Sequence, residues 1–292
     1  MDYFADALVI GLTEQGPLAL AAMGLALIYY LNGIINVAYA ETITLGAYFG
    51  MWANTTLGMN FYGSLVVAGA VAGGISVATY GLIFRPALRR HVGTLEVIII
   101  SFGLSVFLRH GLQFVFGYLA RFYDVPSPTF TSVLGVGVTR FQIIAVGLVV
   151  ALGLALYVFI QRTDPGQRIR ALASDAQLAE VSGIDPRRVT VLMWFVAGVA
   201  GGLAGAFWGV ASSVQPDLGF SRILLILLVV VVAGGRNASS LWRVQAVGLA
   251  AGVLLSALTL RIDPLHAQIW LLVAFLVVLK ARAQQTIGAG QV

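Results

Sequence analysis

Residues 141–160 read FQIIAVGLVVALGLALYVFI, an uninterrupted run without a single charged side chain. A helix of about 20 apolar residues spans the ~30 Å hydrocarbon core of a bilayer. In that solvent every backbone N–H and C=O needs an internal partner, which leaves helices or closed barrels. Barrel strands alternate polar and apolar over ~10 residues. This run does not alternate, so it predicts a transmembrane helix. Comparable runs fall at 8–31, 42–57, 62–84, 94–117, 189–213, 221–235, 244–260 and 266–281. Several are short or interrupted. The pattern predicts an all-α polytopic membrane protein with eight to ten spans, folded as one domain over 1–292.

Composition closes off the alternatives. Of 292 residues, 59% are apolar and 10% charged, where a soluble domain carries ~25% charge. A soluble enzyme, a disordered chain and a nucleic-acid-binding domain are excluded. The chain has no cysteine, which excludes disulfides and thiolate chemistry. Its first residues, MDYFADALVI, carry Asp2 and Asp6 and no basic residue. A cleaved signal peptide wants a positive start, so the first apolar run is expected to be retained.

Basic residues set the orientation. Arg85, Arg89 and Arg90 follow the third run, and Arg162, Arg168, Arg170, Arg187 and Arg188 lie between the fifth and sixth. Arg236 and Arg243 lie between the seventh and eighth, and Lys280 and Arg282 close the last. Two spans separate each cluster from the next, so all can share one side. By the positive-inside rule that side is the cytoplasm, and the chain's end lies there too.

The longest loop on that side, 163–188, has unusual punctuation. Asp164 is a candidate N-cap, Pro165 suits a first helical turn, and Gln167 completes a capping-box spacing. Ile169, Leu172, Ala173, Ala176 and Ala179 recur at helical spacing, with Arg168, Arg170, Asp175, Gln177 and Glu180 opposite. Gly183 can stop the helix in left-handed geometry. Asp185-Pro186 then starts the next helix. A rigid amphipathic helix at 165–182 is therefore expected. It could lie on lipid or fit a cytoplasmic partner, and an alanine face suits a protein groove better than a bilayer.

The same loop carries a resemblance. Gly166, Arg170, Ala171, Ala173, Asp175, Ala179, Gly183, Ile184, Asp185, Arg188 and Val189 fit the coupling segment of branched-chain amino acid ABC importer permeases. Residues 31–41, LNGIINVAYAE, are similar to that family's G-x-I-N-F-A-H-G-E, and Leu45-Gly46-Ala47-Tyr48 stand where L-G-A-Y is expected. Gln215-Pro216-Asp217-Leu218-Gly219-Phe220 resembles its N-P-x-x-G-F. Two departures stand out: Tyr39-Ala40 replaces His-Gly, and Gly234-Gly235-Arg236-Asn237-Ala238-Ser239 replaces G-G-x-G-S. The resemblance covers roughly 8–282. It implies a non-enzymatic permease subunit of a binding-protein-dependent importer in the inner membrane. It also implies a second permease subunit, two cytoplasmic ATPase subunits that hold ATP and magnesium, and an external solute-binding protein. Gly166, Arg170, Ala173, Asp175, Ala176, Ala179, Gly183, Asp185 and Arg188 would then couple to the ATPases. The implied solutes are branched-chain or other neutral amino acids, with urea or short amides as the alternative.

Absences agree with an external energy source. A P-loop needs G-x-x-x-x-G-K-(S/T). The only lysine is Lys280, and Leu279 precedes it. His91, His110 and His266 are scattered, without a zinc-protease or G-x-S-x-G motif. No cofactor is expected on this chain.

Polar groups within the apolar runs remain. A charge at mid-bilayer costs ~2.5–3.5 kcal/mol on insertion scales, so it tends to face a partner or cavity. Glu14 interrupts the first run beside Gly16 and Pro17. Asn32, Asn36, Tyr39 and Glu41 interrupt the next junction. These five could line a solute path, or bond to helix ends and hold the fold. A stand-alone secondary transporter could use Glu14 and Glu41 to couple an ion. Arg109 with Gln113 forms a polar helix face, and Glu96 suits a helix N-terminus. Gly201, Gly205 and Gly209 make a small-residue ridge for internal packing or a subunit interface. The external loop 118–140, with a rigid turn at Pro126-Ser127-Pro128, could touch the binding protein or cap the pore. The five tryptophans suit interfacial belts or packing.

Overall fold

The computed structural model describes residues 3–90, 92–125, 130–133, 136–234 and 241–289. The Pro126-Ser127-Pro128 turn, Gly235 to Ser239 and His91 lie outside the described residues. Helix α1 (Tyr3–Gln15) meets α2 (Pro17–Asn32) at a 48° bend. Pro17 lacks an N–H and cannot continue the ladder of α1, so the chain kinks there. Helix α3 (Tyr39–Thr55) follows, then α4 (Phe61–Thr79), capped by Asn60, whose Oδ1 accepts from the Gly63 N–H at 2.8 Å. A π-helical turn, Tyr80–Phe84, joins α4 to α5 (Arg85–Arg89) just before Pro86. Helix α6 is Thr94–Phe116 and carries Glu96 in its first turn.

Strands β1 (Phe130–Val133) and β2 (Val136–Thr139) pair antiparallel. The 118–140 segment is thus partly a hairpin, and Thr139 and Gln142 form a capping box that starts α7 (Arg140–Arg162). Short helices α8 (Asp164–Ser174) and α9 (Ala176–Val181) lead into α10 (Pro186–Ala211). Helices α11 (Phe220–Ala233), α12 (Leu241–Thr259) and α13 (Pro264–Ala289) complete the order.

The chain is an all-α multi-pass membrane protein. Among the described residues, five helices are long and apolar enough to cross a bilayer, or six with the bent α1–α2 pair. That is below the expected eight to ten. The run at 221–235 forms the 14-residue α11. In α13 the apolar part found among the described residues is Pro264–Val278. The run at 42–57 belongs to the 17-residue α3. The first two are apolar yet shorter than a full crossing, and α3 is both shorter and more polar.

The core sits on α2, α3, α4 and α10. Every residue from Leu18 to Ile28 is buried, as expected of a helix surrounded by others. Outer helices instead expose apolar side chains, such as Phe107 and Phe114 of α6 and Leu154 of α7. The glycine ridge of α10 lies inside the bundle. A Cβ at Gly202 would meet Ala68 and Ala72 of α4, and one at Gly205 would meet the Ile43 carbonyl of α3. Trp194, on the same helix, packs at 5.2 Å from the Tyr80 ring and 5.1 Å from Phe84. Gly205→Ala is expected to destabilise the detergent-purified chain by about 1–3 kcal/mol through overpacking. Gly74→Ala, with open space around it, is expected to leave the melting temperature unchanged or slightly raised.

Candidate functional site: a buried ion pair and a loop elbow

Gly33 ends α2 in the left-handed conformation (φ 66°), with its N–H on the Tyr29 carbonyl. Residues 34–38 are not helical. The Val37 N–H donates to Ser101 Oγ at 3.1 Å. Ser101 lies about 10 Å along α6 from its start, so this irregular stretch packs beside the interior of a helix long and apolar enough to cross a bilayer. Such backbone is tolerated within a bilayer only when buried in protein or lining a cavity. Ile34, Asn36 and Ala38 are buried. Asn32 Nδ2 and Asn36 Oδ1 are buried without hydrogen-bond partners.

In the first turn of α3, Glu41 is fully buried. Its Oε1 accepts from Ser105 Oγ at 2.8 Å and pairs with Arg109 at 3.3 Å. The Arg109 guanidinium also lies 3.5 Å from the centroid of the Phe220 ring. Ser101, Ser105 and Arg109 recur every four residues, so they form one polar stripe on α6. Arg109, on the polar helix face that it shares with Gln113, thus meets Glu41 and Phe220. Glu41 Oε2 is buried without a hydrogen-bond partner. Three unsatisfied polar atoms thus fall between residues 32 and 41, where native folds usually leave few.

Two motifs distant in sequence meet at this point. The Gly219 N–H donates to Thr44 Oγ1 at 3.0 Å, and Thr44 Oγ1 donates to the Ala40 carbonyl at 3.2 Å. A Cβ at Gly219 would run into that carbonyl. Phe220 then completes the cover over Arg109. Segments 36–44, 101–109 and 217–220 therefore build one site. The 118–125 stretch packs alongside: Arg121 bridges Val214, Tyr123 Oη donates to the Ala47 carbonyl at 3.1 Å, and the Asp124 N–H donates to Asn54 Oδ1.

Tyr39 is buried in a different direction. Its hydroxyl donates to the Ala197 carbonyl at 3.2 Å, and its ring fills the space left by Gly24 and Gly201. Glu14 is exposed near the end of α1, apart from the contacts of Glu41. Sequence reasoning missed Ser101, Ser105 and Phe220. The four-residue repeat of α6 was the available signal for the first two, and the glycine-aromatic pair at 219–220 for the third.

The loop 163–188 is an elbow rather than the expected single helix. Thr163, not Asp164, caps α8, its Oγ1 accepting from the Gly166 N–H at 3.3 Å. Asp175 is extended (φ −152°, ψ 105°) and breaks the helix. Its Oδ1 accepts from the Leu178 N–H at 2.9 Å and starts α9. A short acidic side chain competes for local backbone donors, which is why it stops one helix and begins another. Arg170 donates to the Ile160 carbonyl, tying α8 to the end of α7. Gly166 is buried where a Cβ would strike the Phe159 and Ile160 carbonyls. Gly183 (φ 84°) closes α9, and Asp185 Oδ1 accepts from the Arg187 and Arg188 N–H groups to open α10.

The faces differ from the expected ones. Ile169, Leu172 and Ala179 point into this chain and are buried, and Ala173 is half-buried. Ala176 is exposed. The apolar surface the elbow offers outward is Leu178 and Val181, 64% and 88% exposed. Leu178 had no place in the helical pattern because the break at Asp175 changes the register of α9 against α8.

The model of a family described as the permease component of branched-chain amino acid transport systems matches residues 7–282. The LivH permease protein of the Escherichia coli K12 high-affinity branched-chain amino acid system is 29% identical over 252 residues, covering 80% of this chain and 79% of that protein. The BraD permease protein of the corresponding Pseudomonas aeruginosa system is 29% identical over 247 residues, covering 75% of each. A fructose import permease, FruF of Bifidobacterium longum, is 24% identical, covering 79% of this chain and 63% of that protein. Among solved structures, PsaBC from Streptococcus pneumoniae in complex with Fab shares the fold. The TM-score is 0.50 at 13% identity, over 95% of this chain and 91% of that one.

Proposed function

The chain belongs to the family of branched-chain amino acid transport permease components, and from that premise we propose that it carries branched-chain or other neutral amino acids inward across the cell membrane, driven by ATP hydrolysis on separate subunits. It is a transport subunit, not an enzyme. The single observation that carries the coupling half of this reading is the elbow. A tied, twice-capped turn presents Leu178 and Val181 to the surroundings on an otherwise polar loop. Exposed apolar side chains on a rigid support suit a partner protein better than water. The ATPases would dock there, with Gly166, Arg170, Ala173, Asp175, Ala176, Ala179, Gly183, Asp185 and Arg188 shaping or rimming the contact. ATP-driven closure of those subunits would press on α8 and α9 and reach the core through α10. The basic residues of this loop favour the cytoplasmic side. A second permease subunit and an external solute-binding protein would complete the assembly.

The solute half rests on the interrupted segment. Asn32, Asn36 and Glu41 would face the path, with Tyr39 holding the segment against α10. A stand-alone ion-coupled transporter fits less well, because Glu41 is engaged by Arg109 and Ser105. Affinity purification of the chain from its native cells in mild detergent is expected to bring down a P-loop ATPase, identified by mass spectrometry. A folded chain that recovers no ATPase in any detergent removes the coupling reading. Glu41→Gln is expected to spare ATPase recovery while changing the half-saturation or rate of leucine uptake at least severalfold. Unchanged kinetics would make Glu41 a structural residue only.

A further inference from the structure

A cavity of about 220 Å³ opens at the end of the bundle opposite the elbow. Trp208, on its wall, lies 22 residues into α10 from Pro186, about 33 Å along the helix. Arg222 projects into the same wall, with its guanidinium 5.0 Å from the Trp208 ring centroid. Arg222 Nη1 donates to the Leu218 carbonyl at 2.8 Å. No carboxylate pairs with it among the described residues, whose ion pairs are Glu41–Arg109, Asp185–Arg188 and Asp263–His266. Asp217, just before α11, acts on Arg222 through space without forming an ion pair with it, so the guanidinium is only partly compensated away from water, which is costly. Arg222 also sits in the first turn of α11, where helix amides and the dipole favour an anion. Trp208 is 2% exposed, and its Nε1 has no hydrogen-bond partner.

The rest of the wall is of another kind. Leu18, Leu225 and Leu255 supply an apolar side. Gln268, held by its Nε2 on the Ser221 carbonyl at 3.1 Å, keeps an amide oxygen as an acceptor. The cavity is smaller than the ~300–1,000 Å³ of drug-sized sites. We propose that it binds a small zwitterion with an apolar side chain, with the carboxylate on Arg222, the side chain among the three leucines and the ammonium toward Gln268. It would be an entry site at the outer end of the bundle, distinct from the Glu41 cluster. The two share α11, whose first residue covers Arg109 while its third lines the cavity. The inference rests on the amino acid transport reading above and adds where the solute first meets this chain.

The test is direct binding of L-leucine to the full chain in zwitterionic lipid nanodiscs, together with its ATPase subunits. Binding is expected to weaken at least tenfold in Arg222→Gln and in Thr259→Phe, which fills the cavity from another wall residue. Gly74→Ala, in open space on α4 and away from both sites, is expected to bind normally. 3-Methylbutylamine, which lacks the carboxylate, is expected not to bind. If Arg222→Gln fails to fold, Thr259→Phe and Arg222→Lys carry the test. Leucine binding untouched by the cavity variants overturns the proposal. So does loss of binding on adding phosphatidylglycerol, which would make this a lipid headgroup site. An assembled complex that imports leucine while the cavity variants import it equally sinks the entry site and leaves the transport reading standing. A complex that imports no neutral amino acid sinks the transport reading itself.

Discussion

Leu178→Asp combined with Val181→Asp is expected to abolish ATPase recovery while leaving the chain's own melting temperature unchanged. Both side chains are exposed in the isolated chain, at 64% and 88%, so the substitutions remove no internal packing. At an interface they would place two carboxylates on an apolar contact. Burying an unpaired charge costs several kcal/mol, and every 1.4 kcal/mol is tenfold in affinity. A loss of at least about a hundredfold is therefore predicted, measured as ATPase retained per permease after purification. Ala173→Trp is less discriminating. Ala173 is half-buried, and a large side chain there would push into the permease itself. Ala176→Trp, on the exposed side, is expected to weaken capture without unfolding. Full ATPase retention by the double aspartate variant would move the docking surface off α9.

The second large effect concerns the ion pair inside the bundle. Arg109→Ala is expected to destabilise the chain by about 3–5 kcal/mol, because it leaves the Glu41 carboxylate buried and uncompensated. Thermal unfolding in detergent should fall by about ten degrees. Glu41→Gln is expected to cost less. Arg109 retains 16% side-chain exposure and the Phe220 ring, so it can reach solvent or a headgroup, whereas Glu41 cannot. The double variant Glu41→Gln with Arg109→Gln should recover most of the loss, since neither charge then lacks a partner. Equal effects of the two single changes, with no recovery in the double, would contradict the pair as drawn. The contrast also separates stability from transport, because Glu41→Gln is the variant expected to alter uptake.

The architecture was legible in the sequence where it rests on one-dimensional signals. The charge-free run at 141–160 reads as a helix from hydropathy alone. Gly183 and Asp185-Pro186 read as a stop and a start from backbone chemistry alone. Asp175 was misplaced because its position fits the polar face of a continuous helix. Only local competition of its carboxylate for the Leu178 N–H turns it into a cap. The inward turn of Ile169 and Leu172 was equally hidden. An amphipathic stripe says that a face is covered, and not whether the same chain or a partner covers it. Among the described residues fewer helices have full crossing length than the apolar runs suggest, because breaks divide and shorten those runs. The site itself was half visible. Asn32, Asn36 and Glu41 stand out as polar residues in apolar surroundings. That Arg109 answers Glu41, and that Phe220 covers Arg109, depends on contacts 68 and more residues apart along the chain. The two motifs carrying these residues lie far apart in sequence, and their contact through Gly219 and Ala40 is a property of the fold.

The most direct measurement is leucine accumulation in proteoliposomes. They would contain this chain, its permease partner and its ATPase subunits, with binding protein outside and ATP enclosed. Uphill uptake that needs ATP, the binding protein and the ATPases is predicted. It should be lost with Leu178→Asp/Val181→Asp and changed with Glu41→Gln. Leucine uptake by the chain without ATPases, driven by an ion gradient and abolished by Glu14→Gln, would contradict the account.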